Sequence, residues 1–218
     1  MQKKLIITND GSHSLFVVQI NECYHSRHGA IVEAEHVFIR NGFSAVNKPK
    51  INILEVGFGT GLNALLTAQK AETRKLKVKY HAIELYPVSK ENYTQLNFSE
   101  LIGVEKNILL ELHKSSWEKE HKISDYFSIV KNNISLQDYS TEMKFDIIYF
   151  DAFSPVKQPE LWDHNIFNKI HQFLKKDGFL ITYCAKGIVR RTLREVGFEV
   201  ISLDGPPGKR QMTRANRK

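Results

Sequence analysis

Cysteine is nearly absent: Cys23 and Cys184 are the only two in 218 residues, and they stand far apart in no metal-ligand spacing. Neither a disulfide framework nor a metal site is supported, and both thiols read as small buried residues of a reducing compartment. Long apolar runs are missing too. The opening MQKKLIITNDG carries two lysines but no stretch of signal-peptide length, and nothing downstream approaches a membrane span. The expectation is a soluble cytoplasmic protein that makes no membrane contact. No acid follows Asp204, whereas Lys209, Arg210, Arg214, Arg217 and Lys218 do. With 31 Lys and Arg against 24 Asp and Glu, the net charge is +7, which favours a polyanionic partner over a merely solvated terminus. A chain that is 42% hydrophobic and 25% charged can bury a full core, and no repeat or low-complexity segment is present.

The most informative stretch is Ile51–Gly61, INILEVGFGTG. A buried parallel strand reads as a continuous apolar run, and glycines at its carboxyl end let the backbone turn into a helix while approaching a ligand closely. Gly57, Gly59 and Gly61, with Glu55 just upstream, follow the usual first motif of S-adenosylmethionine (SAM) methyltransferases. A dinucleotide count from Gly57 would need glycine where Leu62 stands, yet Gly59, Gly61 and Ala64 satisfy G-x-G-x-x-A, so NAD stays open at this point.

Around this loop the pattern predicts an N-terminal hairpin, with strands at Leu5–Ile7 and Leu15–Ile20 flanking an Asn-Asp-Gly-Ser turn, then a helix or extended arm near residues 31–39. Alternating strands and helices follow, which implies a parallel sheet. The predicted strands are Ile51–Val56, Val78–Glu84, Asn133–Asp138, Phe145–Asp151, Phe179–Tyr183 and Phe198–Leu203. A helix runs through Leu161 and Phe173 to a stop at Asp177-Gly178, a second covers Lys186–Val196, and the last residues can return as a hairpin strand. Residues 1–48 form the hairpin and arm, and 49–218 the α/β domain.

Three successive predicted strands end in an acid: Glu84, Asp138 and Asp151. Ligands of open α/β sheets bind beyond the carboxyl ends of the strands. Glu84 there suits a ribose and Asp138 an adenine amino group. Asp151 opens Asp151-Ala152-Phe153-Ser154-Pro155, where a carboxylate can orient an amine and take its proton, Phe153 can pack on a base, and Pro155 stiffens the loop. The cofactor set therefore comprises Glu55, Gly57, Phe58, Gly59, Thr60, Gly61 and Asn63 from the loop, with Glu84 and Asp138. Lys186, Arg190 and Arg194, spaced four apart, share a helix face. With Lys209 and Arg210 they form a candidate stripe for phosphates. Glu33 and Glu35 read as structural acids.

The stretches DGSHSLFVVQINECYHSRHGAIVEAEHVF, ILEVGFGTGLNALL, FDIIYFDAFSPVKQPELW and GFLITYCAKGIVRRTLREVGFEV with GPPGKRQM resemble the methyltransferase part of the bifunctional tRNA-modification family MnmC, which also occurs alone as MnmD. The resemblance covers nearly the whole chain. It implies a Rossmann-like class I SAM-dependent methyltransferase with an N-terminal β-hairpin extension, converting 5-aminomethyl-(2-thio)uridine at the tRNA wobble position to its methylaminomethyl form. By motif match, Gly57, Phe58, Gly59 and Gly61 line SAM, Glu84 holds its ribose, Asp151 is the catalytic carboxylate, and Tyr24 belongs with the substrate. A chain ending at Lys218 carries no flavin-dependent oxidase domain, so the expectation is a stand-alone, monomeric enzyme using SAM without flavin or metal. The alternatives are an aminopropyltransferase acting on a polyamine and an NAD-linked oxidoreductase.

Overall fold

The computed structural model describes residues 2–218. The chain opens with a small antiparallel sheet of β1 (Lys3–Ile7), β2 (His13–Val17) and β3 (Glu22–Cys23). Its first turn is closed by Asp10, which accepts the Thr8 hydroxyl at 2.8 Å and the Ser12 N–H at 3.0 Å on one oxygen. The other oxygen takes the Val32 N–H at 3.0 Å, tying the hairpin to α1 (Ala30–Ala34). The expected arm is thus a short α-helix, continued by a π-helical turn at Glu35–Arg40 whose Val37, Phe38 and Ile39 are buried in the main core.

The α/β part follows as β4 (Lys50–Val56), α2 (Leu62–Arg74), β5 (Lys77–Ile83), α3 (Lys90–Tyr93), α4 (Phe98–Ile102), α5 (Lys106–Lys114), β6 (Glu120–Lys122), β7 (Phe127–Asn132) and β8 (Phe145–Phe150). After these come α6 (His164–Phe173), β9 (Leu174–Thr182), α7 (Gly187–Glu195), β10 (Glu199–Asp204) and β11 (Gln211–Asn216). One sheet holds eight strands in the order β10-β11-β9-β8-β4-β5-β7-β6. Strands β7, β5, β4, β8 and β9 are parallel, while β11 lies antiparallel between β9 and β10. The order reverses between β4 and β8, and a sheet opens its ligand crevice at such a point. This is the expected Rossmann-like architecture with its hairpin extension. The central strands are buried on both faces: every residue of β8 is buried, and Ile53, Leu54 and Val56 of β4 face two helical layers.

Two expectations need correction. The third strand is Phe127–Asn132, not Asn133–Asp138, which forms a loop and turn. FSIVKN hides its strand character because Lys131 occupies a buried position, where its Nζ donates to the His113 carbonyl at 2.7 Å and lies 4.6 Å from the Trp117 ring centroid. The helix ending at Phe173 is not stopped by Asp177-Gly178; β9 begins at once with Leu174, and those two residues lie inside the strand. The last residues return as a hairpin strand, as expected: β11 pairs on both sides, the Arg214 guanidinium sits 3.9 Å from the Phe179 ring centroid and Arg217 donates to the Leu174 carbonyl.

Candidate active site

A cavity of about 700 Å³ lies between the N-terminal sheet with α1 and the carboxyl ends of β4, β5 and β8. That volume falls within the usual range for a small-molecule site. One half is built on the glycine loop. Gly57 has φ +92°, and a Cβ there would stand 2.7 Å from the Asp151 carbonyl oxygen, so only glycine lets β4 and β8 end side by side. Gly59, at φ +50°, would push a Cβ to 3.1 Å from the Tyr24 ring. Glu84, one residue past β5, accepts the Gly59 N–H at 2.9 Å on Oε2 and the Tyr86 N–H at 2.8 Å on Oε1. Each of its oxygens keeps a second lone pair for a ligand hydroxyl.

The other half centres on Asp151, half-buried one residue past β8. Asn63, on the first turn of α2, donates to Asp151 Oδ2 at 2.8 Å. Burial pushes the Asp151 carboxyl up to about 7, with the Glu33 charge adding to this and the Asn63 bond and Lys209 opposing it. Tyr24 and Phe153 meet edge to face at 5.2 Å on the cavity wall. The loop after Asp151 is pinned by Trp162, which donates to the Phe153 carbonyl at 2.8 Å, and by Tyr183, which donates to the Ala152 carbonyl at 2.9 Å. Glu33 reaches the same cavity from α1, accepting the Ser26 N–H at 2.8 Å and pairing with Lys209 at 2.5 Å. Burial drives the His25 imidazole down to about 4, so it is neutral at pH 7; it bridges Ser14 at 3.0 Å and Thr60 at 3.1 Å, joining the N-terminal sheet to the glycine loop.

A family model described as S-adenosyl-L-methionine-dependent methyltransferase matches residues 103–218, just over half of the chain. The chain belongs to this family. The bifunctional protein MnmC of tRNA 5-methylaminomethyl-2-thiouridine biosynthesis from Cupriavidus metallidurans is 30% identical over 223 residues, which are 95% of this chain and 33% of that protein. The chain spans about a third of the length of the curated relatives it matches. The crystal structure of MnmC2 from Aquifex aeolicus aligns with a TM-score of 0.80 at 26% identity, covering 100% of this chain and 70% of that one. Spermidine synthase from Thermotoga maritima, at 12% identity and a TM-score of 0.59 over 100% of this chain and 72% of that one, shares the fold.

SAM is thus the methyltransferase's cofactor, and the residues present fit it. The glycine cradle leaves no room for a Cβ at Gly57, and a strand-end carboxylate with spare lone pairs faces a cavity of the right size. Phe58 and Thr60 line that cavity, while Gly61 closes the loop as the residue before α2. Two members of the expected cofactor set lie elsewhere. Asp138 is exposed on the turn after β7, where it takes the Ser135 hydroxyl at 2.5 Å; Ser135, Leu136 and Gln137 form the cavity wall instead. Glu55 is wholly buried beneath the loop, accepting from Asn63 at 3.0 Å, and so cannot touch a ligand. Among the described residues no group of three His, Cys, Asp or Glu is arranged to hold a metal.

The expected phosphate stripe divides. Arg190 is spent inside the fold, donating to Thr213 at 3.0 Å, Gln211 at 2.9 Å, Ser202 at 3.1 Å and the Met212 carbonyl at 3.0 Å, because its helix face turns toward β11. Lys209 lies in the methyltransferase cavity, paired with Glu33 and 4.0 Å from the Tyr183 ring centroid. Lys186 and Arg210 are exposed. With Pro155 they border a second groove of about 410 Å³ that shares Ser154, Tyr183 and Lys209 with the main cavity. Glu33 and Tyr183 had sequence signals that were there to read: an acid flanked by Ala30 and Ala34 on a buried helix face, and an aromatic one residue past a strand end.

The raised Asp151 carboxyl has a stability consequence. Between its ordinary value and about 7 the folded protein holds a proton that the unfolded chain has released, so this group lowers stability as pH rises through that window. Asp151→Asn removes the effect. Its melting temperature without ligand should exceed the parent's by more at about pH 8 than at about pH 5. Scanning calorimetry of both proteins checks this, and a pH-independent difference would contradict the assignment.

Proposed function

We propose that the chain methylates the primary amine of 5-aminomethyl-(2-thio)uridine at the wobble position of tRNA, a cytoplasmic reaction that gives the methylaminomethyl base. The observation that carries this reading is the Asp151 carboxyl, raised to about 7, lining the same cavity as the Tyr24–Phe153 pair and the glycine loop. Bound SAM supplies an electrophilic methyl group on a sulfonium sulfur, which keeps the C–S electron pair. An amine attacks only with a free lone pair, and an ammonium has none. Asp151 holds the amine in line, and once the new C–N bond has formed it accepts the proton that the methylated nitrogen must lose, directly or through water. Tyr24 and Phe153 supply apolar faces for the base, and the loop carrying Phe153 is stiffened by Pro155 and the Trp162 bond. The names of the MnmC relatives and the resemblance of the DAFSP loop support the same substrate.

Neither NAD-linked oxidation nor aminopropyl transfer fits a SAM-dependent methyltransferase family. Lys186 and Arg210, beside the groove that runs on from the cavity, suit the phosphates flanking an everted nucleotide. Reversing both charges to Glu should raise the KM for tRNA and flatten its salt dependence by about one log unit per lost phosphate contact, leaving SAM affinity intact. Filter binding across a salt series reads this, and an unchanged slope would mean these two are merely solvated. For the substrate itself, tRNA nucleosides from cells lacking the protein should accumulate the unmethylated aminomethyl base in mass spectrometry. A nucleoside profile identical to the parent's would remove the assignment.

A further inference from the structure

Asn63 lines the cavity wall, and its two carboxyl partners give it a task beyond cofactor binding. It is 5% exposed, and both hydrogens of its amide are used: one goes to Glu55 Oε1 at 3.0 Å, the other to Asp151 Oδ2 at 2.8 Å. An amide that donates to two carboxyl groups has no rotational freedom left, and its orientation is fixed by the deeper of the two. Glu55 is that deeper group. It has no exposure, its second oxygen is buried without a partner, and the buried Tyr80 and Tyr149 rings lie 6.2 Å apart in the core. Burial first, and the Asp151 charge second, drive the Glu55 carboxyl well above the ordinary carboxylate range, and its Oε1 is the acceptor that holds Asn63.

We propose that Asn63, locked by the buried carboxyl of Glu55, is a positioning residue that fixes the orientation of the Asp151 carboxylate by donating to its Oδ2, so that the carboxylate is held ready to take the amine proton. The inference rests on the reading of Asp151 as proton acceptor. Several groups besides Asn63 act on this carboxylate: Glu33 from α1, Lys209 from the turn before β11, Tyr183 after β9, Tyr80 from β5 and Glu55 from β4. Among the described residues, Asn63 is the one side chain hydrogen-bonded to it. A donor to the charged form favours that form, so the Asn63 bond holds Asp151 below the value that burial alone would impose.

The test follows Asp151 directly, by the ¹³C carboxyl resonance that disappears in Asp151→Asn, in the unliganded protein across pH. Asn63→Ser and Glu55→Leu should each move the Asp151 titration upward by roughly one pH unit. Each should also lower kcat about tenfold to a hundredfold at saturating SAM, with SAM affinity within about threefold of the parent. Glu55→Gln keeps the acceptor oxygen for Asn63 and should recover most of both effects, which a general packing defect at Glu55 would not allow. An Asp151 titration unmoved in Asn63→Ser and Glu55→Leu overturns the proposal. So does loss of SAM affinity as the only change. A shifted titration together with full activity in Asp151→Ala would keep the coupling and overturn the proton-acceptor role beneath it.

Discussion

Asp151→Ala should keep SAM affinity and lose methyl transfer by about two to four orders of magnitude, the usual range for a positioned acid–base group. The side chain is half-buried at the strand end, and its main-chain N–H donates to the Val56 carbonyl at 3.0 Å, an interaction that alanine preserves. The loss should therefore fall on chemistry and not on the fold. Asn at this position can still orient an amine but cannot take its proton, so Asp151→Asn should fall between the parent and Ala. With a carboxyl raised to about 7, the parent's rate should climb with pH through neutrality as Asp151 ionises and the substrate amine loses its proton. Single-turnover assays with aminomethyl-bearing tRNA read both effects. Full activity in Asp151→Ala would leave this residue as a strand-end turn former.

Glu84→Ala should weaken SAM binding by roughly one to two orders of magnitude, as expected when charge-assisted hydrogen bonds worth about 1.5–3 kcal/mol are lost. The structure gives this carboxylate two tasks. It is the acidic side chain one residue past β5 that lines the cofactor cavity, and it braces the glycine loop through the Gly59 and Tyr86 N–H groups. Removing it orphans both donors beside the cofactor. Glu84→Gln retains one acceptor oxygen and should lose less. Isothermal titration distinguishes these outcomes, and SAM affinity within about twofold of the parent in folded Glu84→Ala would refute the assignment.

Sequence legibility followed local chemistry. Ile51–Gly61 and Phe145–Asp151 were readable because central parallel strands are apolar on both faces and end abruptly at polar, ligand-facing positions. The strand Phe127–Asn132 was not, since a buried lysine satisfied by a carbonyl and two aromatic faces looks like a surface residue in one dimension. Asp138 was misplaced with it. Spacing put Lys186, Arg190 and Arg194 on one face, but nothing in the helix announces that β11 packs there and consumes Arg190. The Glu33–Lys209 pair joins residues 176 apart in the chain, and the Asn63–Asp151 bond residues 88 apart. Both are products of topology: the first forms where α1 meets the β10–β11 turn, the second where the start of α2 meets the end of β8.

Methyl transfer to one exocyclic amine of one tRNA nucleotide, the proposed reaction, is open to direct assay. Purified protein, SAM with a labelled methyl group and tRNA carrying 5-aminomethyl-2-thiouridine at the wobble position should be incubated together, digested to nucleosides and resolved by mass spectrometry. Label should appear in 5-methylaminomethyl-2-thiouridine alone, with none in the same tRNA lacking the aminomethyl group. Label in any other nucleoside, or no transfer from protein that binds SAM, would contradict it.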